Sequence, residues 1–158
     1  MKSKVAFITI HSVSNFGSIL QAIATTKVIE SLGKEAILIN YIPNRLTFKH
    51  YFMTMIQGII PFVKGLAFLP NNIINRYIYS SYLAKYSKLS SPIYDKDKFV
   101  EKCPHADYYI TGSDQVWNSK HNAGFNNRYF FAQLPDDSKL ISFAASFGVS
   151  TLDKEDTK

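Results

Sequence analysis

Among the side chains able to do acid–base chemistry, Asp114 stands in the most telling place. It closes the run Tyr108-Tyr109-Ile110-Thr111-Gly112-Ser113-Asp114, so a carboxylate follows an apolar segment directly. Such a group is poorly solvated unless it faces a cleft, and there it can act as a general acid or base once its surroundings raise its pKa. Its structural alternative is to cap the next turn through the amides of Val116 and Trp117. Gly112, Ser113, Gln115 and Asn118 surround it with groups that can bind a polar ligand or merely close the turn. A second cluster, Asn15-Phe16-Gly17-Ser18 with Gln21, follows the apolar run Val5 to Ile10. Ser18 and Gln21 have the spacing of a capping box, which is a structural device. The same amides at a helix start favour a phosphate or carboxylate, and Gly17 lets a ligand approach the backbone. A third cluster, Ser146-Phe147-Gly148, follows Leu140 to Ala144.

Other combinations do not assemble. His11, His50, His105 and His121 lack metal-ligand spacing, and Cys103 with His105 makes no chelate alone. Asp95-Lys96-Asp97 has the acid-x-acid spacing of some metal–nucleotide sites, but it precedes a helix, where capping is the simpler role. No histidine is evidently paired with Ser12, Ser14 or Ser113, and one glycine does not make a dinucleotide fingerprint. Trp117, the only tryptophan, reads as a packing anchor.

The elements that must position these clusters follow from periodicity. Val5 to Ile10 reads as a strand covered on both faces, and Ala36 to Tyr41, Asp107 to Thr111 and Leu140 to Ala144 read as strands. Tyr129 to Phe131 reads as a further short strand. Between the first two strands, Leu20, Ala24, Val28 and Leu32 recur every fourth residue, which predicts a helix from about Ile19 to Leu32 buried on that stripe. Gly33 suits its C′ position. A short helix is expected at Lys96 to Lys102, and one from Asn72 to Leu89 with Ile74, Ile78, Tyr82 and Tyr86 in the core. In open α/β sheets ligands bind beyond the carboxyl ends of the strands. Parallel strands would therefore gather all three clusters on one edge.

Composition bounds the class. The chain has 158 residues, 46% hydrophobic and 19% charged, which suits one domain with a sizeable core and argues against disorder. The formal charge of +6 favours anionic partners, but the lysines form no run of the kind nucleic-acid tails use, so no nucleic acid is expected. One cysteine excludes an internal disulfide and suggests a reducing, cytoplasmic setting. The first ten residues lack a cleavage site and read as a strand, not a signal peptide. Phe52 to Pro70 is strongly apolar, yet Gln57, Gly58, Pro61, Lys64 and Gly65 interrupt it. That is poor for a membrane span. Packing within the protein is the expectation, with contact at a membrane surface through residues 52–70 as the alternative.

With these residues in place, the sequence resembles the polysaccharide pyruvyl transferase family. The resemblance is carried by Asn15-Phe16-Gly17-Ser18-Ile19-Leu20-Gln21 and by Gly112-Ser113-Asp114-Gln115-Val116-Trp117-Asn118, the latter highly specific. It continues in Ile141-Ser142-Phe143-Ala144-Ala145-Ser146-Phe147-Gly148, close to the family's S-[YF]-A-A-S-[FL]-G. It implies a two-domain architecture like the GT-B glycosyltransferases, with the active site in the cleft. Residues 1–158 would then be the N-terminal half. That half is a Rossmann-like parallel sheet with flanking helices and a helical insertion at about 45–103. The second domain is expected beyond Lys158, since the polar run Asp153 to Lys158 falls where a βα unit should continue.

The resemblance further implies transfer of a pyruvyl group from phosphoenolpyruvate to a sugar of a cell-surface polysaccharide, or of its lipid-linked precursor, as a ketal. Asp114 would be catalytic. Asn15, Phe16, Gly17, Ser18, Gln21, Gly112, Ser113, Gln115, Asn118 and Ser146 would bind substrate. No metal or cofactor is needed; phosphoenolpyruvate is the donor substrate. No Lys or Arg clamp is visible in these loops, so cationic groups for the phosphate are expected in the other half. Two further readings stand beside this one: a GT-B-type glycosyltransferase half using a nucleotide sugar, and a non-catalytic saccharide-binding module. The cytoplasm or the inner face of the membrane is the expected location.

Overall fold

The computed structural model describes residues 2–120, 122, 126–131, 133–135 and 137–152, with Lys96 described by its backbone alone. Four strands form one sheet: β1 (Lys4–Ile8), β2 (Glu35–Leu38), β3 (Tyr108–Asp114) and β4 (Leu140–Ala145). Their order is β2-β1-β3-β4 and every pairing is parallel. Val5 sits between Ala36 and Tyr108, and Tyr109 lies beside Leu140. With its helices this is the Rossmann-like α/β sheet that the strand pattern leads one to expect.

Alternation along the central strands builds two cores, because successive strand side chains point to opposite faces. Val5 and Phe7 of β1, with Tyr108 and Ile110 of β3, face one layer that holds Ile19, Ala22 and Ile29 of the helix α1 (Phe16–Ser31). Ala6 and Ile8, with Tyr109, face the other, which holds Ile39, Tyr41, Phe99, Val116, Tyr129 and Phe131. Each large side chain buried this fully contributes about 1.5–3 kcal/mol. Among the described residues β4 is the edge opposite β2, and Leu140, Ile141 and Phe143 are exposed on it.

Helix α1 starts earlier than its periodicity suggests and turns another face inward. Its N-cap is Asn15, whose side chain accepts from the Gly17 amide at 2.7 Å. The Ser18–Gln21 capping box does not form; Gln21 points to the sheet edge instead. Buried positions are Ser18, Ile19, Ala22, Thr25, Thr26 and Ile29, whereas Leu20, Val28 and Leu32 are exposed. Small side chains and threonines win this face because they let the helix lie close to the sheet, with the Thr25 and Thr26 hydroxyls returned to the Gln21 and Ala22 carbonyls. At the other end Gly33 (φ 73°) donates to Glu30 and Lys34 donates to Ile29, a Schellman turn in which glycine takes the left-handed residue.

Between β2 and β3 run a 3₁₀ turn (Asn44–Leu46), α2 (Phe48–Met55), α3 (Ile59–Tyr86), a second 3₁₀ turn (Lys96–Lys98) and α4 (Phe99–Lys102). Helix α3 crosses the stretch expected to be broken. Pro61 falls in its first turn, where a missing N–H costs nothing, and Pro70 is carried inside it. The stripe Ile74, Ile78, Tyr82 and Tyr86 is exposed, not core, and so is most of Phe52 to Pro70. Packing within the protein therefore accounts for only a small part of this segment, chiefly Met55 and Gly65. Helices α2 and α3 pack on each other through Met55, which lies where a side chain on Gly65 would sit, and through the Tyr51 hydroxyl donating to the Gly65 carbonyl at 2.7 Å. Tyr129 and Phe130 lie in a 3₁₀ turn (Asn127–Phe130) and not in a strand. Among the described residues no helix is long and apolar enough to cross a membrane.

Candidate functional site

Because β1, β3 and β4 are parallel neighbours, the three polar clusters end on one edge of the sheet. The contacts between them are specific. Gln21 reaches from the second turn of α1 to the Ser113 carbonyl at the end of β3, and its amide also donates to the Thr9 hydroxyl at 3.2 Å. Thr9 in turn donates to the same Ser113 carbonyl at 2.7 Å. This joins the first cluster to the second. The second joins the third through backbone: Ser146 donates to the Asp114 carbonyl at 3.1 Å, and Trp117 donates to the Ser146 carbonyl at 3.2 Å.

Gly112, Ser113 and Asp114 are the last residues of β3 rather than a loop after it. The peptide bond between Gly112 and Ser113 is cis. Gly112 has φ 110°, and a Cβ there would stand 2.2 Å from the Phe143 carbonyl oxygen, so no other residue fits beside β4. Asp114 has φ 106°, a backbone conformation that costs a side-chain-bearing residue about 1–3 kcal/mol. Its Oδ1 accepts from the Gln115 amide at 2.7 Å, not from Val116 or Trp117. Gln115 lies against Gly148 and accepts from the Asn118 side chain at 2.9 Å. Below, the Trp117 ring stacks on Phe130 at 5.2 Å, meets Phe147, and donates to the Tyr129 carbonyl at 3.2 Å. The edge is thus backed by an aromatic layer.

Within this frame the expected site residues divide. Asp114 is half-buried, and the exposed Asn15, Phe16, Gly17, Gln115 and Ser146 lie on the same edge. Ser18 and Asn118 are buried, and Gln21 and Ser113 bind each other. The Gly17 amide is already taken by Asn15, which leaves it unavailable to an anion.

The structure adds groups that the sequence reading passed over. Tyr129 is fully buried, and burial pushes its hydroxyl well above the ordinary phenol range; Tyr41 and Asp114 act in the same sense and Arg45 opposes them. Asp114, Tyr41 and Arg45 therefore lie within electrostatic reach of one hydroxyl. The Tyr41 ring is 5.9 Å from that of Tyr129, and its hydroxyl accepts from Asn126 at 3.3 Å. Arg45 has a buried Nε with no hydrogen-bond partner among the described residues. It lies outside the three loops, in the 3₁₀ turn Asn44–Leu46. The available signal was its position just past β2, on the edge where the other strands also end.

On the other side of the β1 tip is a cavity of about 570 Å³, bounded by residues 11–14, the segment after β2, and α3. None of the expected site residues lines it. His11, Ser12, Ser14, Asn40, Arg76 and Ser81 do. His11 is buried with Nδ1 3.1 Å from the Thr9 carbonyl and Nε2 3.1 Å from the Asn40 side-chain oxygen. Burial lowers its pKa and outweighs the opposing effect of those two contacts. Thr9 touches both halves, since its hydroxyl holds Ser113 and its carbonyl meets His11. Among the described residues no three His, Cys, Asp or Glu are grouped to hold a metal ion.

Comparison with known families bears on this edge directly. The model of the family described as "Polysaccharide pyruvyl transferase" matches residues 15–158. The chain belongs to the polysaccharide pyruvyl transferase family. Neither a curated protein nor a solved structure matches it. The family match begins at Asn15, the N-cap of α1, and takes in the ends of β3 and β4. Membership of the polysaccharide pyruvyl transferases thus covers all three segments that meet on the edge.

Proposed function

We propose that this protein takes part in transfer of a pyruvyl group from phosphoenolpyruvate to a sugar of a cell-surface polysaccharide or its lipid-linked precursor, and that it forms one half of a GT-B-like pair of domains. The observation that supports this reading is the meeting of three family-matched segments around Asp114 on one sheet edge. Protonation of the enol carbon turns it into a methyl group and leaves the neighbouring carbon electron-poor. One sugar hydroxyl attacks that carbon, a second displaces phosphate, and the two oxygens form the ketal. One hydroxyl proton balances the proton given to carbon, and the other leaves with phosphate. Asp114 serves as the proton carrier, a task for which a half-buried carboxylate is suited. Arg45, with its unpartnered buried Nε, is the cation that shares the electrostatic surroundings of Tyr129 with Asp114. The cavity beside the β1 tip offers the hydroxyls of Ser12, Ser14, Ser80 and Ser81 to a saccharide. A phosphoenolpyruvate donor puts the reaction on the cytoplasmic side.

The test is a product analysis of the full chain with saccharide acceptors and either phosphoenolpyruvate or nucleotide sugars. Ketal formation from phosphoenolpyruvate alone supports the proposal. A glycoside made from a nucleotide sugar would replace it with a glycosyltransferase reading. Saccharide binding with turnover of neither donor would replace it with a binding module.

A further inference from the structure

The segment from Ala36 to Tyr94 contains no aspartate or glutamate, yet it holds Arg45, Lys49, Lys64, Arg76, Lys85 and Lys88. Removing these six from the chain's eighteen cations leaves twelve against twelve carboxylates, so this segment carries the whole of the formal +6. The same segment forms α2 and α3, and of the 28 residues of α3 only Gly65 and Leu83 are buried. Leu83 and Tyr79 anchor the C-terminal end of α3 to the core, where Tyr79 meets the Phe16 ring at 4.8 Å. The N-terminal half of α3, with α2, exposes Phe52, Met53, Ile56, Phe62 and Val63, and above all Ile59 (84% exposed) and Ile60 (69%). Lys49 and Lys64 are exposed among them and form no ion pair with any described residue.

A large exposed apolar surface marks an interaction site, and its charge decides among occupants. A second copy would bring the same unpaired Lys49 and Lys64 and repel. A neutral partner would leave them unused. A negatively charged lipid surface satisfies both features: the apolar side chains enter the acyl boundary while the lysines meet the headgroups, as interfacial helices do. We propose that the α2–α3 hairpin docks this protein on an anionic bilayer. This does not depend on the reaction proposed above.

The experiment is co-sedimentation of the full chain with vesicles of mixed phosphatidylglycerol and phosphatidylcholine, and with vesicles of phosphatidylcholine alone. Binding to the anionic vesicles only, weakened by added salt, is expected. Lys49→Gln with Lys64→Gln should lower that binding by about thirtyfold, taking about a fivefold contribution from each lysine near the surface. Ile59→Ser with Ile60→Ser should abolish it, while Leu32→Ser, on the exposed face of α1, should leave it unchanged. Circular dichroism shows whether each variant keeps its fold; all of these positions are exposed, so all should. Equal binding to both vesicle types, no binding to either, or wild-type binding by the folded Lys and Ile variants would overturn the proposal. So would sedimentation velocity showing self-association that the Ile variants abolish, because the surface would then be an interface between copies.

Discussion

Gln21, in the second turn of α1, donates its side-chain amide to the carbonyl of Ser113, 92 residues later and next to Asp114. A residue whose spacing suggests a helix cap is instead a strut between two strand ends. Thr9 donates to the same oxygen and also accepts from Gln21, so the three residues act as a unit. Gln21→Ala should cost about 1 kcal/mol in urea unfolding, and the near-isosteric Thr9→Val about 1–2 kcal/mol. The double variant should depart from additivity by at least about 0.5 kcal/mol, since each donor supports the other. Strict additivity would mean that the shared carbonyl does not couple them.

Two glycines separate steric need from conformational need. Gly33 has a positive φ but open space around it, so Gly33→Ala should cost only about 1 kcal/mol. Gly112 has a positive φ and also the Phe143 carbonyl against it, so Gly112→Ala should cost about 3 kcal/mol or more and detach β4 from the end of β3. Thermal unfolding of the two variants side by side measures the difference. Similar midpoints would show that β4 does not press on Gly112.

His11 predicts an acid limb in stability. Burial lowers its folded pKa, so the native state holds a neutral ring while the unfolded chain takes up a proton near the ordinary value of 6.5. Unfolding therefore binds a proton below that pH, and the stabilisation present above pH 6.5 is lost as pH falls, by at most about 1.4 kcal/mol per unit. Urea midpoints between pH 7.5 and 5.5 should decline for the wild type and stay flat for His11→Asn. A parallel decline in both would assign the effect to another group.

Much of this was legible in the sequence, for physical reasons that can be named. The apolar runs at Val5 and Leu140 could only be buried or edge strands, and the Gly112-Ser113-Asp114 run marked a strand end where backbone geometry is unusual. Helix faces were less legible. The leucines and valine of α1 suggested the buried stripe, but Ala22, Thr25 and Thr26 lie against the sheet because closeness there outweighs side-chain hydrophobicity. In α3 the sequence pattern puts the stripe Ile74, Ile78, Tyr82 and Tyr86 in the core, and the structure leaves it exposed, since the helix turns the neighbouring face with Tyr79 and Leu83 toward the sheet layer. Arg45 and Tyr129 lie in no motif; the Thr111 hydroxyl donating to the Tyr129 carbonyl ties that turn to β3, a contact that only the fold creates.

One substitution isolates the role of Asp114 as the proton carrier. Asn keeps the shape, the tolerance of positive φ and the Oδ1 that accepts from Gln115, but cannot carry the proton. The measurement is the rate of ketal formation from phosphoenolpyruvate and saccharide by the full chain and by Asp114→Asn, with unfolding midpoints recorded alongside. Loss of the proton carrier should lower kcat by about 10²–10⁴ at nearly unchanged stability. A folded Asp114→Asn protein that forms the ketal at the wild-type rate would contradict it.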